Sequence, residues 1–134
     1  MTDKNPKILF VDDSAAIRKL VAFTLKFRKF DVELAENGKD AWEQLTGFRP
    51  DLIITDILMP EMGGFELISK IKANDQLKSI PIIVLTTEGQ SDHLLKGKSL
   101  GVFHYLKKPF EPHILIEVVE KALGVQNGKE RKTA

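Results

Sequence analysis

The chain has 134 residues, 43% of them hydrophobic and 29% charged, which is the size and composition of one soluble globular domain. Its formal net charge is +1, so no overall field draws it to nucleic acid or to an anionic membrane. It has no cysteine, which excludes disulfides, thiolate metal sites and cysteine nucleophiles and favours the cytoplasm. No apolar run is long enough to insert into a membrane.

Apolar runs of strand length alternate along the chain with segments of helical periodicity. We predict strands at residues 7–11, 31–35, 51–55, 80–85 and 102–106. A helix is predicted after each strand, because apolar residues return on one side, as at Ile17, Leu20, Val21, Thr24 and Leu25. Ser14 is the expected cap of the first helix and Pro112 an early residue of the last, and helices are expected to end near Gly47, Gly101 and Gly124.

Strands that alternate with helices through short connections pair in parallel, with helices on both faces of the sheet. The sequence therefore predicts an α/β fold with one doubly wound (βα)5 domain. In such a sheet, ligands bind beyond the carboxyl ends of the strands, near the point where the strand order reverses. We expect the domain to cover residues 1–124 and the polar segment 125–134 to be a disordered tail.

Three carboxylates directly follow predicted strands. Asp12 and Asp13 come after the first strand and Asp56 after the third. Like charges that converge at one sheet edge raise at least one pKa unless a cation neutralises them, and oxygen ligands without His or Cys select Mg²⁺, with Mn²⁺ as an alternative. We therefore predict a divalent metal site, against the simpler interpretation that Asp12 and Asp13 only cap a helix and Asp56 only begins a loop.

A hydroxyl and an ammonium are expected at the same edge, since Thr86 lies at the end of the fourth strand and Lys108 just past the fifth. A metal, a lysine and a hydroxyl stabilise the charge on a phosphoryl group in transfer, and a carboxylate can be its nucleophile. This combination predicts phosphoryl transfer to Asp56. Taken alone, Thr86 is an ordinary strand residue and Lys108 an ordinary surface charge.

Four motifs occur in order, at residues 11–14 (VDDS), 55–60 (TDILMP, followed by Gly64), 86–88 (TTE) and 108–110 (KPF). Thr86 follows Asp56 by 30 residues and Lys108 follows Thr86 by 22, which leaves room for a helix and a strand each time. From residue 7 to residue 123 the chain resembles the receiver domains of two-component response regulators, in particular free-standing CheY-like members.

The resemblance implies a flavodoxin-like, five-stranded parallel sheet in the order 2-1-3-4-5. It implies that Asp13, Asp56 and the backbone carbonyl of Leu58 bind Mg²⁺ directly, with Asp12 acting through water. It also implies that Asp56 accepts a phosphoryl group from a histidine kinase, a phosphotransfer protein or a small phosphodonor.

The resemblance further implies a switch pair, in which Thr86 moves toward the phosphoryl group and the ring of Tyr105 turns inward. Periodicity alone makes Tyr105 a half-buried strand residue. The switch would change the face formed by the fourth helix, fifth strand and fifth helix, which binds a downstream target protein. The Lys108–Pro109 bond is expected to be cis, and the implied protein is a monomer that promotes its own phosphorylation and dephosphorylation without a separate substrate.

Leu58 departs from the family pattern, because many relatives carry a polar side chain two residues after the acceptor. An apolar side chain cannot orient the water that hydrolyses the phosphoryl bond, so we predict slow autodephosphorylation, although Thr87 and Glu88 leave the rate open.

The resemblance implies a role in chemotaxis, and several other functions compete with it. A phosphorelay shuttle in another two-component pathway has the same site residues. An aspartyl-nucleophile phosphatase requires a second Asp where Leu58 stands, and the VDDS motif of residues 11–14 would repel the phosphate of an FMN carrier. A docking module that is never phosphorylated would not need the three acids, Thr86 and Lys108 together.

Overall fold

The computed structural model describes residues 5–86 and 100–124, with the side chain of Thr86 left out. Its elements are β1 (Lys7–Val11), α1 (Ala15–Phe27), β2 (Asp31–Ala35), α2 (Gly38–Gln44), β3 (Leu52–Thr55), α3 (Gly64–Lys72), β4 (Ile82–Thr86), β5 (His104–Lys107) and α4 (Pro112–Leu123). The helix predicted after the fourth strand, Thr87, Glu88 and the predicted tail 125–134 lie outside the described residues. The helix α4 is therefore the one predicted after the fifth strand.

The five strands form one parallel sheet in the order β2-β1-β3-β4-β5, as predicted. The carboxyl ends of the three strands around the switch point are level with one another, because Val11 pairs with both Ala35 of β2 and Thr55 of β3. The residues that follow β1 and β3 consequently emerge side by side at the point where the strand order reverses.

The first two strands have the predicted bounds, and the other three are displaced by one or two residues. The largest differences concern β4, which was expected at 80–85, and β5, which was expected at 102–106. Ile80 is buried, but its N–H donates to the carbonyl of Leu77 in a turn at 3.0 Å, and Pro81 has no N–H to give to a ladder. The apolar pattern therefore predicts correctly that Ile80 is buried, but it predicts wrongly that Ile80 belongs to the strand.

Alternation along the strands divides the core between the two faces of the sheet. In β1, Ile8 and Phe10 pack with α1 and α4, whereas Leu9 and Val11 pack with α2 and α3. All four side chains are fully buried, as expected for a central parallel strand with helices on both faces. The layered packing holds the ends of β1 and β3 in fixed positions.

Most of the predicted helix ends are correct. The Ser14 hydroxyl accepts the N–H of Ile17 at 3.2 Å, Pro112 opens α4, and Gly124 closes it with a positive φ of 78°. The helix α2 ends at Gln44, three residues before Gly47, and the chain continues through a turn in which the Gly47 N–H donates to the Gln44 carbonyl at 3.1 Å.

Among the described residues, no helix combines the length and the apolar character that crossing a membrane requires.

Candidate functional site

Three carboxylates meet where β1 and β3 end. The Asp56 N–H donates to the carbonyl of Val11 at 2.9 Å, which ties the residue after β3 to the end of β1. One carboxylate oxygen from each of Asp12, Asp13 and Asp56 lies within 4.8 Å of the others. The structure thus brings together the three carboxylates that the sequence placed at the strand ends.

Asp12 is fully buried, and the protein compensates its charge with hydrogen bonds. Its Oδ1 accepts the backbone N–H of Ser14 at 2.9 Å, and its Oδ2 accepts the ammonium of Lys108 at 2.7 Å. The first bond belongs to the start of α1, as the simpler capping interpretation required. The second bond reaches across the sheet and has no role in capping.

Arg18 supports the turn that carries these acids, and nothing in the sequence analysis selected it. Its Nη1 donates to the backbone carbonyl of Asp12 at 2.7 Å, so α1 fastens the turn from which it begins. A cation one turn past the helix cap Ser14 is the signal in the sequence. That signal is weak, because most arginines at such a position point to solvent.

Asp56 has both carboxylate oxygens engaged. Its Oδ1 accepts the N–H of Ile57 at 2.7 Å, and its Oδ2 accepts the Lys108 ammonium at 3.2 Å. Burial raises the pKa of the Asp56 carboxyl above its usual value; the Ile57 amide and the Lys108 charge act against this rise, and the charge of Asp12 adds to it. The surroundings of Asp56 therefore favour added positive charge.

Lys108 links the two buried acids, and its side chain is only 11% exposed. Burial lowers its pKa, but the hydrogen bond to Asp12 and the charges of Asp56 and Asp12 outweigh burial, so the pKa of Lys108 lies above its usual value. The Lys108–Pro109 peptide bond is cis, as predicted. The ammonium lies at the same rim as the carboxylates, although it follows a different strand.

Gly64 lies directly against the backbone of Asp56. Its N–H donates to the carbonyl of Ile57 at 2.8 Å, and a Cβ at this position would overlap the carbonyl oxygen of Asp56. A residue with any side chain would push the acceptor segment away from the start of α3. This close approach accounts for a glycine eight residues after the acceptor.

The structure leaves three predicted roles untested. Thr86 pairs through its backbone with Lys107 at the end of β4, and its side chain lies outside the described structure. The ring of Tyr105 is half-buried against the α2 and α3 side of the core, where burial raises the pKa of its hydroxyl. The Leu58 side chain is 60% exposed, and the metal-binding role of its carbonyl stays a prediction.

The acidic cluster is suited to a divalent cation. Asp12, Asp13 and Asp56 supply hard oxygen donors from three side chains, which is the chemistry that Mg²⁺ and Mn²⁺ prefer. Asp13 is exposed, so the cluster opens to solvent on one side. These three residues could therefore hold a metal ion.

Comparison with known proteins agrees with this geometry. Residues 8–120 match the model of the response regulator receiver domain. The chain is 41% identical to chemotaxis protein CheY1 of Helicobacter pylori over 90% of this chain and 99% of that protein, and 40% identical to a CheY homolog of Campylobacter jejuni over 92% and 96%.

Solved structures give the same result. The chemotaxis response regulator CheY4 of Vibrio cholerae superposes with a TM-score of 0.84 at 38% identity, over 89% of this chain and 99% of that one. The receiver domain of a signal transduction histidine kinase from Syntrophus aciditrophicus gives a TM-score of 0.84 at 31% identity, over 96% and 98%. With its acidic cluster, buried lysine and doubly wound sheet, the chain belongs to the response regulator receiver domain family.

Proposed function

We propose that this receiver accepts a phosphoryl group on Asp56 in a Mg²⁺-dependent reaction and signals by the resulting change in its partner-binding surface. The observation that carries the proposal is the position of Asp56, whose carboxylate lies beside two further acids and within 3.2 Å of the Lys108 ammonium. The Lys108 ammonium, together with a divalent cation held by the carboxylates, would offset the negative charge of a phosphoryl group that arrives at the switch point.

In the proposed transfer, an oxygen of the Asp56 carboxylate forms a bond to phosphorus, and the bond from phosphorus to a histidine nitrogen of the donor breaks. The nitrogen keeps the bonding electron pair, and no proton has to leave the carboxylate. With acetyl phosphate as the donor, the oxygen of acetate is the leaving group. The product is an acyl phosphate on Asp56.

The chain's own residues would stabilise the charge that moves. Lys108 is already fixed beside Asp56, so its ammonium can turn to an arriving phosphoryl oxygen with little reorganisation. We propose that Asp13, Asp56 and the Leu58 carbonyl hold Mg²⁺, with Asp12 acting through water. The ion would neutralise charge on the phosphoryl oxygens.

We further propose that the switch works through Thr86 and Tyr105, which change the face formed by the helix after β4, by β5 and by α4. The strand β5 lies at one edge of the sheet and exposes His104 and Lys107, and Phe103 just before it is 47% exposed. Exposed apolar and charged groups at this edge support its use by a downstream target protein. The protein would act by binding and not on a separate substrate.

Chemotaxis is the proposed setting, because the curated relatives described above are named as chemotaxis proteins. The donor would be a histidine kinase in the cytoplasm. A phosphorelay shuttle is the second candidate, favoured by the likeness to the receiver of a histidine kinase. The two differ in one measurable step, because a shuttle returns the phosphoryl group from Asp56 to a histidine on another protein.

Intact mass spectrometry after incubation with acetyl phosphate tests the proposal. We expect one added phosphoryl group with Mg²⁺, none with excess chelator and none in Asp56→Asn. Asp75→Asn is the matched control, since the Asp75 side chain is 92% exposed and outside the site, and it should be phosphorylated like the wild type. Phosphorylation of Asp56→Asn, or none in the wild type, would contradict the proposal.

A further inference from the structure

The strand β2 lies at an edge of the sheet, and within residues 5–86 and 100–124 it pairs with β1 alone. The Asp31 N–H donates at 2.9 Å to the residue before β1, and the Ala35 carbonyl accepts at 3.1 Å from the residue after β1. Backbone groups of alternate residues point to opposite sides of a strand in a parallel sheet. Those of Val32 and Leu34 therefore point away from β1, along the outer edge.

Part of this outer edge has no hydrogen-bond partner in the described part of the chain. The Leu34 carbonyl accepts the side-chain amide of Gln44 at 2.9 Å, which agrees with its outward direction and closes the edge at that end. The N–H and the carbonyl of Val32 and the N–H of Leu34 are left unpaired among the described residues. These three groups follow one another along the edge, so they can pair with the backbone of an added extended chain.

The two sides of β2 differ in chemistry. Val32 and Leu34 are half-buried and pack with the core on the α1 side. Asp31 and Glu33 are exposed on the opposite side, and neither carboxylate forms an ion pair with another residue that the structure describes. A chain added to this edge would therefore have an apolar neighbour on one side and two anionic neighbours on the other.

A groove of about 660 Å³ lies beside this edge. Its lining includes Asp31, Val32 and Glu33 of β2 and, from neighbouring segments, Lys26, Lys29, Phe30 and Phe48. Phe30 belongs to the core on the α1 side and Phe48 packs against the core on the α2 side, so the groove extends to both sides of the edge. Its volume lies in the range of ligand sites, about 300 to 1,000 Å³, and leaves room for the side chains of an added strand.

We propose that the β2 edge is a docking site for an extended segment of a partner protein in which basic and apolar side chains alternate. The segment would pair with the unpaired backbone groups of Val32 and Leu34 and so extend the sheet. Its basic side chains would lie opposite Asp31 and Glu33, because cross-strand neighbours of opposite charge stabilise a sheet. Its apolar side chains would lie beside Val32.

The charges around the groove specify which face of the segment is basic. Lys26 and Lys29 line the groove on the α1 side, so they would repel a basic side chain placed beside Val32. Asp31 and Glu33 would repel an acidic side chain on the opposite side. A segment shifted by one residue would be rejected, because the shift moves every side chain to the other face.

The same acids disfavour a second copy of this chain as the occupant. Two-fold pairing of two β2 edges centred on Val32 would place Asp31 opposite Glu33 of the other copy. Pairing centred on Glu33 would place this residue opposite itself. Like charges directly opposite each other destabilise a sheet, so both arrangements cost affinity.

The β2 edge is separate from the face proposed for the phosphorylation-dependent target. The strands β2 and β5 form opposite edges of the sheet. Docking at β2 requires neither β5 nor phosphorylation of Asp56. Failure of one proposal therefore leaves the other intact.

Titration with designed β-hairpin peptides tests the inference, because a preformed strand loses little conformational entropy on docking. The first hairpin has an Asn-Gly turn and alternates Lys and Val along one strand, and the second has Glu in place of Lys. Amide chemical shifts of the isotope-labelled protein report both affinity and location. We expect the Lys hairpin to bind at least about fivefold more tightly than the Glu hairpin, with shifts centred on β2.

Hydrogen exchange tests the backbone pairing. In the protein alone, the amides of Val32 and Leu34 should exchange faster than the amide of Glu33, which points to β1. A saturating amount of the Lys hairpin should slow exchange at Val32 and Leu34. Methylation of the outward amide nitrogens on the Lys and Val strand should abolish this protection, whereas the same change on the other strand of the hairpin should not.

Charge variants of the protein make the test specific. The reversal Asp31→Lys, Glu33→Lys should transfer the preference to the Glu hairpin. This gain of binding cannot arise from unfolding, and urea unfolding checks that the variant stays folded. Asp75→Lys is the matched control, since it changes an acid whose side chain is 92% exposed between α3 and β4, and it should keep the preference for the Lys hairpin.

Three results would overturn the inference. One is a failure of the Lys hairpin to bind at about 1 mM, the weak end of specific association. Another is equal binding of both hairpins by the wild type. The third is occupation of the edge by a second copy, shown by a dimer in sedimentation that protects the Val32 amide without any hairpin.

Discussion

Replacing Lys108 with Met removes the ammonium between Asp12 and Asp56 and keeps a side chain of similar length. The three site carboxylates have oxygens within 4.8 Å of one another, and two such charges repel by about 3.5 kcal/mol at an effective dielectric constant of about 20. Leaving one side of a buried ion pair uncompensated costs about 3 to 5 kcal/mol. Because the side chains of Lys108 and Asp56 are 11% and 12% exposed, we expect a loss of unfolding free energy at the lower end, about 3 kcal/mol.

Two conditions should restore the lost stability. Excess Mg²⁺ supplies a replacement cation, so it should stabilise Lys108→Met more than the wild type. Lower pH should also help, because the folded-state pKa of Asp56 is raised. A raised carboxyl pKa means that protonation favours the folded state, so stability gained at low pH is lost as pH rises through that pKa.

Urea unfolding in chelator at neutral pH, followed by Trp42 fluorescence, measures the loss. Trp42 is half-buried against the core on the α2 and α3 side, so its emission should report unfolding. Lys107→Met is the matched control, since Lys107 is exposed on β5, and it should unfold like the wild type. Equal stability of Lys108→Met and wild type in chelator, or an equal loss in Lys107→Met, would contradict this prediction.

Three further predictions concern the acceptor and its surroundings. The phosphorylated wild type should lose its phosphoryl group slowly, and Leu58→Asn should shorten the half-life several-fold by orienting water; a wild-type half-life of seconds or less, measured by intact mass, would count against this. Gly64→Ala should lower the free energy of unfolding by about 1 to 3 kcal/mol, measured by urea unfolding, because its Cβ meets the Asp56 carbonyl. Gly47→Ala should not lower it, because a Cβ there has nothing within 4 Å. Calorimetric Mg²⁺ affinity should fall with decreasing pH, starting above the range of an ordinary aspartate, because the raised pKa of Asp56 lets protons compete earlier; an onset at or below the ordinary range would contradict it.

The sequence was sufficient to predict which strand ends carry the site. Parallel strands present their carboxyl ends at one edge, so an acid after β1 and another after β3 must lie near each other once the topology is known. The contacts of Lys108 and Arg18 were beyond such reasoning. A bridge from Lys108 to Asp12 spans 96 residues of sequence and depends on side-chain rotamers that no periodicity reports.

Periodicity also failed on α1, where Leu20 was expected on the core side and is 42% exposed. The helix has apolar residues around most of its circumference, so the pattern cannot decide which of them the sheet will cover. Val21 and Leu25 face the core, and Phe23 and Phe27 remain outside. The exposed aromatic pair became visible only when the packing was known.

Locating the phosphoryl group on the chain tests whether Asp56 is the acceptor. An acyl phosphate is reduced by borohydride to an alcohol, which converts a phosphorylated aspartate to homoserine, and peptide mass spectrometry then identifies the position. After treatment with acetyl phosphate and Mg²⁺, we expect homoserine in place of Asp56, with Asp12 and Asp13 unmodified. Modification at Asp12, Asp13 or any other residue in place of Asp56 would contradict it.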